Sequence, residues 1–93
     1  MSEARLEVHD GLGRRVIPID KQVLTIGRRS ENDLRLVGSD VSRDHAEIAL
    51  ADGNHVLRDR GSRYGTFVNG EQISAERPLR HGDRIQFGRA PAA

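Results

Sequence analysis

Residues 57–70, LRDRGSRYGTFVNG, constrain the fold more than any other segment because the chain reverses there twice within a short distance. A polar turn at 59–63 is followed by a β-like run at 66–68 and then by Asn69-Gly70. An Asn-Gly pair between β-forming residues predicts a two-residue hairpin, since a type I′ turn needs positive φ at both central positions. The polar turn offers hydroxyl, guanidinium and amide donors with little carboxylate. The segment therefore predicts a β-hairpin whose neighbouring loop could hold an anion.

The rest of the chain repeats the pattern of short apolar alternations separated by turn signals. Turns are indicated at 10–13, 31–33, 52–53 and 81–83. Short strands with turn signals roughly every 8–12 residues are typical of a β-sandwich or barrel. The sequence therefore predicts an all-β fold, with alternating apolar residues at Leu6 and Val8, Ile17 and Ile19, Leu24 and Ile26, and Leu34 and Leu36.

Residues 39–52, SDVSRDHAEIALAD, fit this pattern least well. They contain no Gly or Pro, much of 46–50 favours helix, and Ser42 could serve as an N-cap. Alternation of Ala46, Ile48 and Leu50 favours a strand instead, as does the Asp-Gly hairpin signal that follows. Because the surrounding segments are β-like, we predict a strand.

The composition narrows the function classes. A chain of 93 residues forms one domain and is too short for two cores. The net charge of +1 argues against bulk attraction to nucleic acid or to an acidic membrane. Lys21 is the single lysine and the other 14 basic residues are arginines, whose planar fork of donors suits phosphate and carboxylate.

Other absences in the sequence point to a cytoplasmic domain without a metal or a cofactor. There is no cysteine, no apolar run near the ~20 residues that span a bilayer, and no signal-peptide core. The four histidines show no close metal-ligand spacing. The chain ends in Arg-Ala-Pro-Ala-Ala directly after a β-like run, so we expect residues 1–93 to be a single domain excised from a longer multidomain protein.

Three loops at strand ends carry the residues of interest. They are Gly27-Arg28, then Ser-x-x-His at 42–45, then Asp-x-Gly-Ser-x-x-Gly-Thr-Phe-Val-Asn-Gly at 59–70. In this order and spacing, from Leu24 to Phe87, the chain resembles a forkhead-associated (FHA) domain. Each motif is weak alone, and the combination is highly specific.

The resemblance implies a β-sandwich of about eleven short strands whose loops at one end bind phosphothreonine peptides. The family normally has one more strand after the Phe87 region, and this sequence ends too early to supply it. Without that strand, the strand near Leu6 would keep an open edge, and an open edge favours pairing with a second chain as a dimer.

The resemblance also implies which residues form the binding site. The phosphate-binding arginine falls on Arg28, the phosphate-contacting serine on Ser42, and an additional donor on Arg43. Ser62 and Arg63 fall in the loop that lines the phosphothreonine methyl and the peptide backbone. Tyr64 stands where the family usually has asparagine, so its effect on peptide selectivity is open. Residues matching positions that shape the loops are Gly27, His45, Gly65, Thr66 and Asn69.

The implied function is a phosphothreonine-binding signalling module without catalysis, which recruits a partner or an internal segment after a Ser/Thr kinase has acted. A degenerate FHA domain that binds proteins or dimerises without phosphate is the alternative. A hydrolase using Ser42, Asp44 and His45 is disfavoured, because no nucleophile elbow is present and residues so close in sequence rarely orient a triad. A nucleic-acid-binding barrel would need a basic stripe and stacking aromatic residues, and Tyr64 is the only aromatic residue in the proposed loops.

Overall fold

The structure is a computed structural model that describes residues 5–10 and 13–88. These residues form ten strands and no helix, which confirms the all-β prediction. The additional strand that the resemblance implies after Phe87 would lie outside the described residues. The strands are β1 (Arg5–Asp10), β2 (Gly13–Pro18), β3 (Val23–Gly27), β4 (Leu34–Arg35), β5 (Ala46–Ala51), β6 (Asn54–Asp59), β7 (Thr66–Val68), β8 (Glu71–Gln72), β9 (Glu76–Pro78) and β10 (Ile85–Phe87).

A five-stranded sheet in the order β4-β3-β5-β6-β9 forms one layer of the fold. β3 and β4 are parallel, and the other neighbours in this sheet are antiparallel. β5 occupies the second half of the ambiguous segment 39–52, so the strand prediction is confirmed there, and turns occupy most of 39–45. Helix propensity was overridden because β5 pairs along its length with β6 and buries Ala46 and Ile48 in the core.

A three-stranded sheet, β10-β7-β8, forms the second layer, and the β1–β2 hairpin is a separate two-stranded sheet. In the described residues β1 pairs with β2 alone, from Arg5 opposite Pro18 to Asp10 opposite Gly13. Leu6 and Ile17 from this hairpin pack against the core, as do Ile85 and Phe87 from β10.

Two hairpin turns have the backbone that their sequences predict. Asn69 has a φ of 52° and Gly70 a φ of 86°, and together they connect β7 to β8. Asp52 and Gly53, with φ of 51° and 81°, connect β5 to β6 in the same way. Positive φ at both central residues is the type I′ pattern, whose twist matches that of the flanking strands.

Aliphatic side chains from both layers form one core. Along β3, buried Leu24 and Ile26 alternate with the more exposed Val23 and Thr25, as the period of two requires. Truncating a buried leucine or isoleucine to alanine typically costs about 2–5 kcal/mol. The buried cluster comprises Leu24, Ile26, Leu34, Leu36, Val41, Ala46, Ile48, Leu57, Val68 and Ile73.

The register of the larger sheet brings the three loops of interest to one end of the sandwich. Ile26, next to the end of β3, lies opposite Ala46 at the start of β5, and Ala46 lies opposite Asp59 at the end of β6. The end of β3, the start of β5 and the end of β6 therefore lie at the same end of the sheet. This places the loops after Gly27, before Ala46 and after Asp59 side by side.

Candidate functional site

The loop that begins at Gly27 is held directly against the loop that contains Ser42. The amide of Arg28 donates to the carbonyl of Ser42 at 3.0 Å, and the amide of Arg29 donates to that of Arg43 at 3.2 Å. A Cβ at position 27 would lie 2.1 Å from the Arg43 carbonyl oxygen. Only glycine allows this approach, so Gly27 fixes the position of Arg28 relative to Ser42.

Asn32 also joins these two loops, which the sequence analysis did not anticipate. Its side-chain amide donates to the Arg29 carbonyl at 3.1 Å and to the Arg43 carbonyl at 2.7 Å. The sequence marked 31–33 only as a turn. No local signal identifies the Arg43 contact, because it depends on the pairing of β3 with β5.

Asp33 holds the same turn against β3. Its carboxylate accepts hydrogen bonds from the Thr25 amide at 2.9 Å and from the Lys21 ammonium group. The hydrogen bond from Lys21, followed by the one from the Thr25 amide, lowers the pKa of Asp33. The turn that precedes β4 is thus fixed at both ends.

Ser42 connects the second loop to the third. Its hydroxyl oxygen accepts a hydrogen bond from the Arg63 amide at 3.1 Å, and its own amide donates to Nδ1 of His45 at 3.0 Å. The hydroxyl hydrogen is not used in either contact. Ser42 can therefore still donate into the space beside Arg63.

His45 is completely buried and holds two loops together. Because Nδ1 accepts from the Ser42 amide, we assign the ring proton to Nε2, which donates to the Gly65 carbonyl at 2.9 Å. The ring also meets Phe87 edge to face, with centroids 5.6 Å apart. Both nitrogens are occupied, so His45 has none left to act as a base for the Ser42 hydroxyl.

Asp59 organises the third loop and was likewise absent from the predicted site. Its carboxylate accepts from the amides of Gly61 and Ser62 at 3.0 and 3.1 Å, from the Ser62 hydroxyl, and from the Thr66 hydroxyl at 2.7 Å. Burial alone would raise the pKa of Asp59, but these four hydrogen bonds outweigh it and lower the pKa. The Asp-x-Gly-Ser sequence is the available signal, because Asp side chains commonly bond amides two and three residues on.

Gly65 closes the third loop against the opposite layer. Its carbonyl accepts from His45 and also from the Gly88 amide at 2.9 Å. Its φ is 91°, a backbone conformation that favours glycine. Thr66 is buried with its hydroxyl on Asp59.

Five of the six predicted peptide-binding residues line a single cleft with a volume of about 310 Å³. Ser62 does not line it, because its hydroxyl turns inward to Asp59. Asn69 lies at the far end of β7 and bonds Asp83 and the Arg84 backbone, so it shapes a different loop. The lining residues are Arg28, Ser39, Asp40, Val41, Ser42, Arg43, Arg63 and Tyr64.

Three of the residues that line the cleft are arginines. Within residues 5–10 and 13–88, the guanidinium groups of Arg28 and Arg43 form no ion pair or hydrogen bond. The Arg63 guanidinium lies 5.4 Å from the centroid of the Tyr64 ring, a cation–π arrangement. By contrast, Arg29 and Arg60 outside the cleft pair with Asp44 and Glu47 at 3.4 and 3.5 Å.

The part of the chain that the structure describes contains neither a metal-binding cluster nor a membrane-spanning helix. No group of three or more His, Cys, Asp or Glu side chains there could hold a metal ion. No helix in the same part of the chain has the length and apolarity to cross a membrane.

Comparison with known proteins identifies the family. The family model for the FHA domain matches residues 24–88. An oxoglutarate dehydrogenase inhibitor of Corynebacterium diphtheriae is 41% identical over 71 residues, which cover 76% of this chain and 49% of that protein. The chain thus spans about half the length of this curated relative.

Solved structures agree with this assignment. A complex of Mycobacterium tuberculosis EmbR with a low-affinity phosphopeptide superposes with a TM-score of 0.80 at 34% identity, covering 90% of this chain and 22% of that one. A structure from work on phosphothreonine-dependent FHA domain interactions gives a TM-score of 0.83 at 33% identity, covering 94% and 88%. The predicted sandwich is confirmed, and the chain belongs to the FHA domain family.

Proposed function

We propose that this domain binds phosphothreonine peptides and so recruits a partner protein, or an internal segment of its own parent chain, that a Ser/Thr kinase has phosphorylated. One observation carries the proposal. Arg28 from one loop and Ser42 and Arg43 from a second reach a single cleft, and their donor groups there are not used by other described residues.

The chemistry of the ligand matches these donors. A phosphothreonine carries about −1.5 to −2 charges at pH 7 and three acceptor oxygens. Arg28 can meet two oxygens with its planar fork, and Ser42 can donate its free hydroxyl hydrogen. Hydrogen bonds to charged groups contribute roughly 1.5–3 kcal/mol each, so three of them, less the ordering of a flexible peptide, suit micromolar binding at about −8 kcal/mol.

The relatives support the same class of ligand. The EmbR structure contains a phosphopeptide, and the second solved structure comes from work on phosphothreonine-dependent interactions. The matched region includes all three loops, since it runs from residue 24 to residue 88.

The remaining expectations stay proposals. We infer no catalysis and no nucleic-acid, membrane or cofactor binding, and we place the domain in the cytoplasm. We also propose that the edge of β1 not used by β2 is available to a second chain. Sedimentation of the purified protein over a range of concentrations would test this self-association.

Removing the Arg28 guanidinium tests the main proposal. Arg28→Ala should abolish measurable binding to phosphothreonine peptides selected from an oriented library. Arg28→Lys should restore it only in part, because an ammonium group keeps the charge and loses the fork. Arg80→Ala is the matched control, since Arg80 is exposed and does not line the cleft. Isothermal titration calorimetry with phosphoserine and unphosphorylated versions of the peptides completes the experiment.

Two results would contradict the proposal. Equal affinity for phosphorylated and unphosphorylated peptides would favour a degenerate FHA domain that binds proteins without phosphate. Unchanged binding at pH 5 would argue against a phosphate ligand, because the second phosphate proton returns below about pH 6.

A further inference from the structure

Asp40 lines the same cleft as Arg28, Arg43 and Arg63. It is half-buried, and of the eight lining residues it is the acidic one. Its position is set by two glycines. An ideal Cβ on Gly38 would lie 3.2 Å from Asp40 Oδ1, and one on Gly88 would lie 3.0 Å from Oδ2 and 2.6 Å from the Asp40 carbonyl oxygen. The carboxylate is therefore seated between the backbones of these glycines.

No described residue neutralises this carboxylate. Within 5–10 and 13–88, neither oxygen accepts a hydrogen bond or forms an ion pair. Other acidic side chains of the same loop region are engaged: Asp44 pairs with Arg29, and Asp59 accepts four hydrogen bonds. The Asp40 carboxylate and the arginine guanidinium groups of the cleft thus remain unpaired with one another, although an arginine side chain is long enough to pair with Asp40.

A structural role explains only part of this arrangement. The Val41 amide donates to the Gly38 carbonyl at 3.2 Å, so Asp40 occupies a tight turn in which Asp and Asn are both favoured. Asparagine would serve the turn equally well without a charge. The charge itself acts on whatever enters the cleft, because a carboxylate beside an anion site repels a second anion and attracts a cation.

We propose that Asp40 makes the cleft select phosphothreonine peptides with a basic side chain beside the phosphorylated residue and reject those with an acidic one there. This inference rests on the proposed function. When the phosphate engages the guanidinium groups, Asp40 remains a carboxylate in the cleft that no described residue pairs with. A lysine or arginine of the peptide can pair with it, whereas a glutamate places two carboxylates near each other.

Matched peptides test this selectivity. A phosphothreonine peptide is made with Gln, Lys or Glu at each flanking position in turn, and dissociation constants are measured by fluorescence anisotropy at low ionic strength, where surface charges act furthest. For the wild type, we expect the Lys version to bind about three- to tenfold more tightly than the Glu version at one flanking position or more. Asp40→Asn, which preserves size and turn preference, should bring that ratio close to one.

The same variant should also bind the Gln peptide about two- to fivefold more tightly, because a repulsion on the phosphate is removed. A purely structural Asp40 would give the opposite change or none. Asp44→Asn is the control, since Asp44 pairs with Arg29 and does not line the cleft, and its Lys-to-Glu ratio should match the wild type. Asp40→Ser provides a second neutral variant in case the asparagine disturbs the turn.

Distinct outcomes separate the two proposals. Wild-type binding without any Lys-over-Glu preference, or a preference that survives in both neutral variants, overturns the role of Asp40 and leaves phosphothreonine recognition in place. Failure of the wild type to bind any phosphothreonine peptide overturns both.

Discussion

Neutralising Asp59 should destabilise the domain more than any other change of a single polar atom in the loops. Its two oxygens accept four hydrogen bonds, from two amides and two hydroxyls. In Asp59→Asn, the remaining oxygen can face the two amides, and the new NH2 group then faces the two hydroxyls, which can turn to accept from it. We therefore expect all four hydrogen bonds to keep a partner but to lose the negative charge that strengthens them.

The size of the effect follows from these contacts. A hydrogen bond to a charged group contributes roughly 1.5–3 kcal/mol and one between neutral groups roughly 0.5–1.5 kcal/mol, so at half-buried Asp59 the loss of charge weakens each bond by slightly less than about 1 kcal/mol. Over four bonds, this gives about 3 kcal/mol of destabilisation at pH 7. For a domain of this size, each kcal/mol lowers the melting temperature by about 4–8 °C, so Tm should fall by about 12–24 °C.

Urea denaturation followed by far-UV circular dichroism measures the change, with pH as a second variable. The pKa of the Asp59 carboxyl is lowered in the folded protein, because the hydrogen bonds outweigh the opposing effect of burial. Its stabilising contribution is therefore present above the ordinary pKa, near 4, and is lost as the pH falls through the lower folded pKa. The difference between wild type and Asp59→Asn should shrink below about pH 4.

Asp20→Asn serves as the control, because Asp20 is exposed and makes no hydrogen bond with the described residues. This variant should change the free energy of unfolding by less than about 0.5 kcal/mol. A loss below about 1 kcal/mol for Asp59→Asn at pH 7 would refute the reasoning. A difference that stays constant into acid would refute it as well.

Two further variants address how the loops are joined. Gly27→Ala should lower the free energy of unfolding by about 3 kcal/mol or more and abolish peptide binding, because its Cβ would lie 2.1 Å from the Arg43 carbonyl oxygen. Chemical denaturation measures the loss of stability, and a stable variant that still binds peptide would contradict the prediction. Asn32→Ala removes the donor to the Arg29 and Arg43 carbonyls, so we expect about 1–2 kcal/mol of destabilisation and several-fold weaker binding to phosphothreonine peptides, measured by calorimetry. An affinity equal to that of the wild type would show that the Asn32 hydrogen bonds do not position Arg28.

Features determined by neighbouring residues were predictable from the sequence. The Asn69-Gly70 turn was identified because positive φ at two successive positions strongly restricts residue choice. The strand at 46–51 needed more than local propensity, which favoured helix over part of the segment. Alternation and the neighbouring Asp-Gly turn gave the right answer there, since the pairing of β5 with β3 and β6 decides its structure.

The candidate site shows where such reasoning stops. Arg28 and Ser42 were identified through their motif, and the structure brings both to one cleft. Asn32 was not identified, because its acceptor on Arg43 becomes a neighbour only after the sheet has formed. Asp40 was missed for the same reason, since residues far away in the chain define the cleft that it lines.

The hydroxyls of Ser42 and Ser62 take opposite hydrogen-bonding roles. Ser62 directs its hydrogen to Asp59. Ser42 instead uses a lone pair on the Arg63 amide, so its hydrogen must point elsewhere. The Arg63 amide thereby excludes one direction for that O–H before any ligand arrives, so the hydroxyl loses less rotational freedom when an acceptor docks.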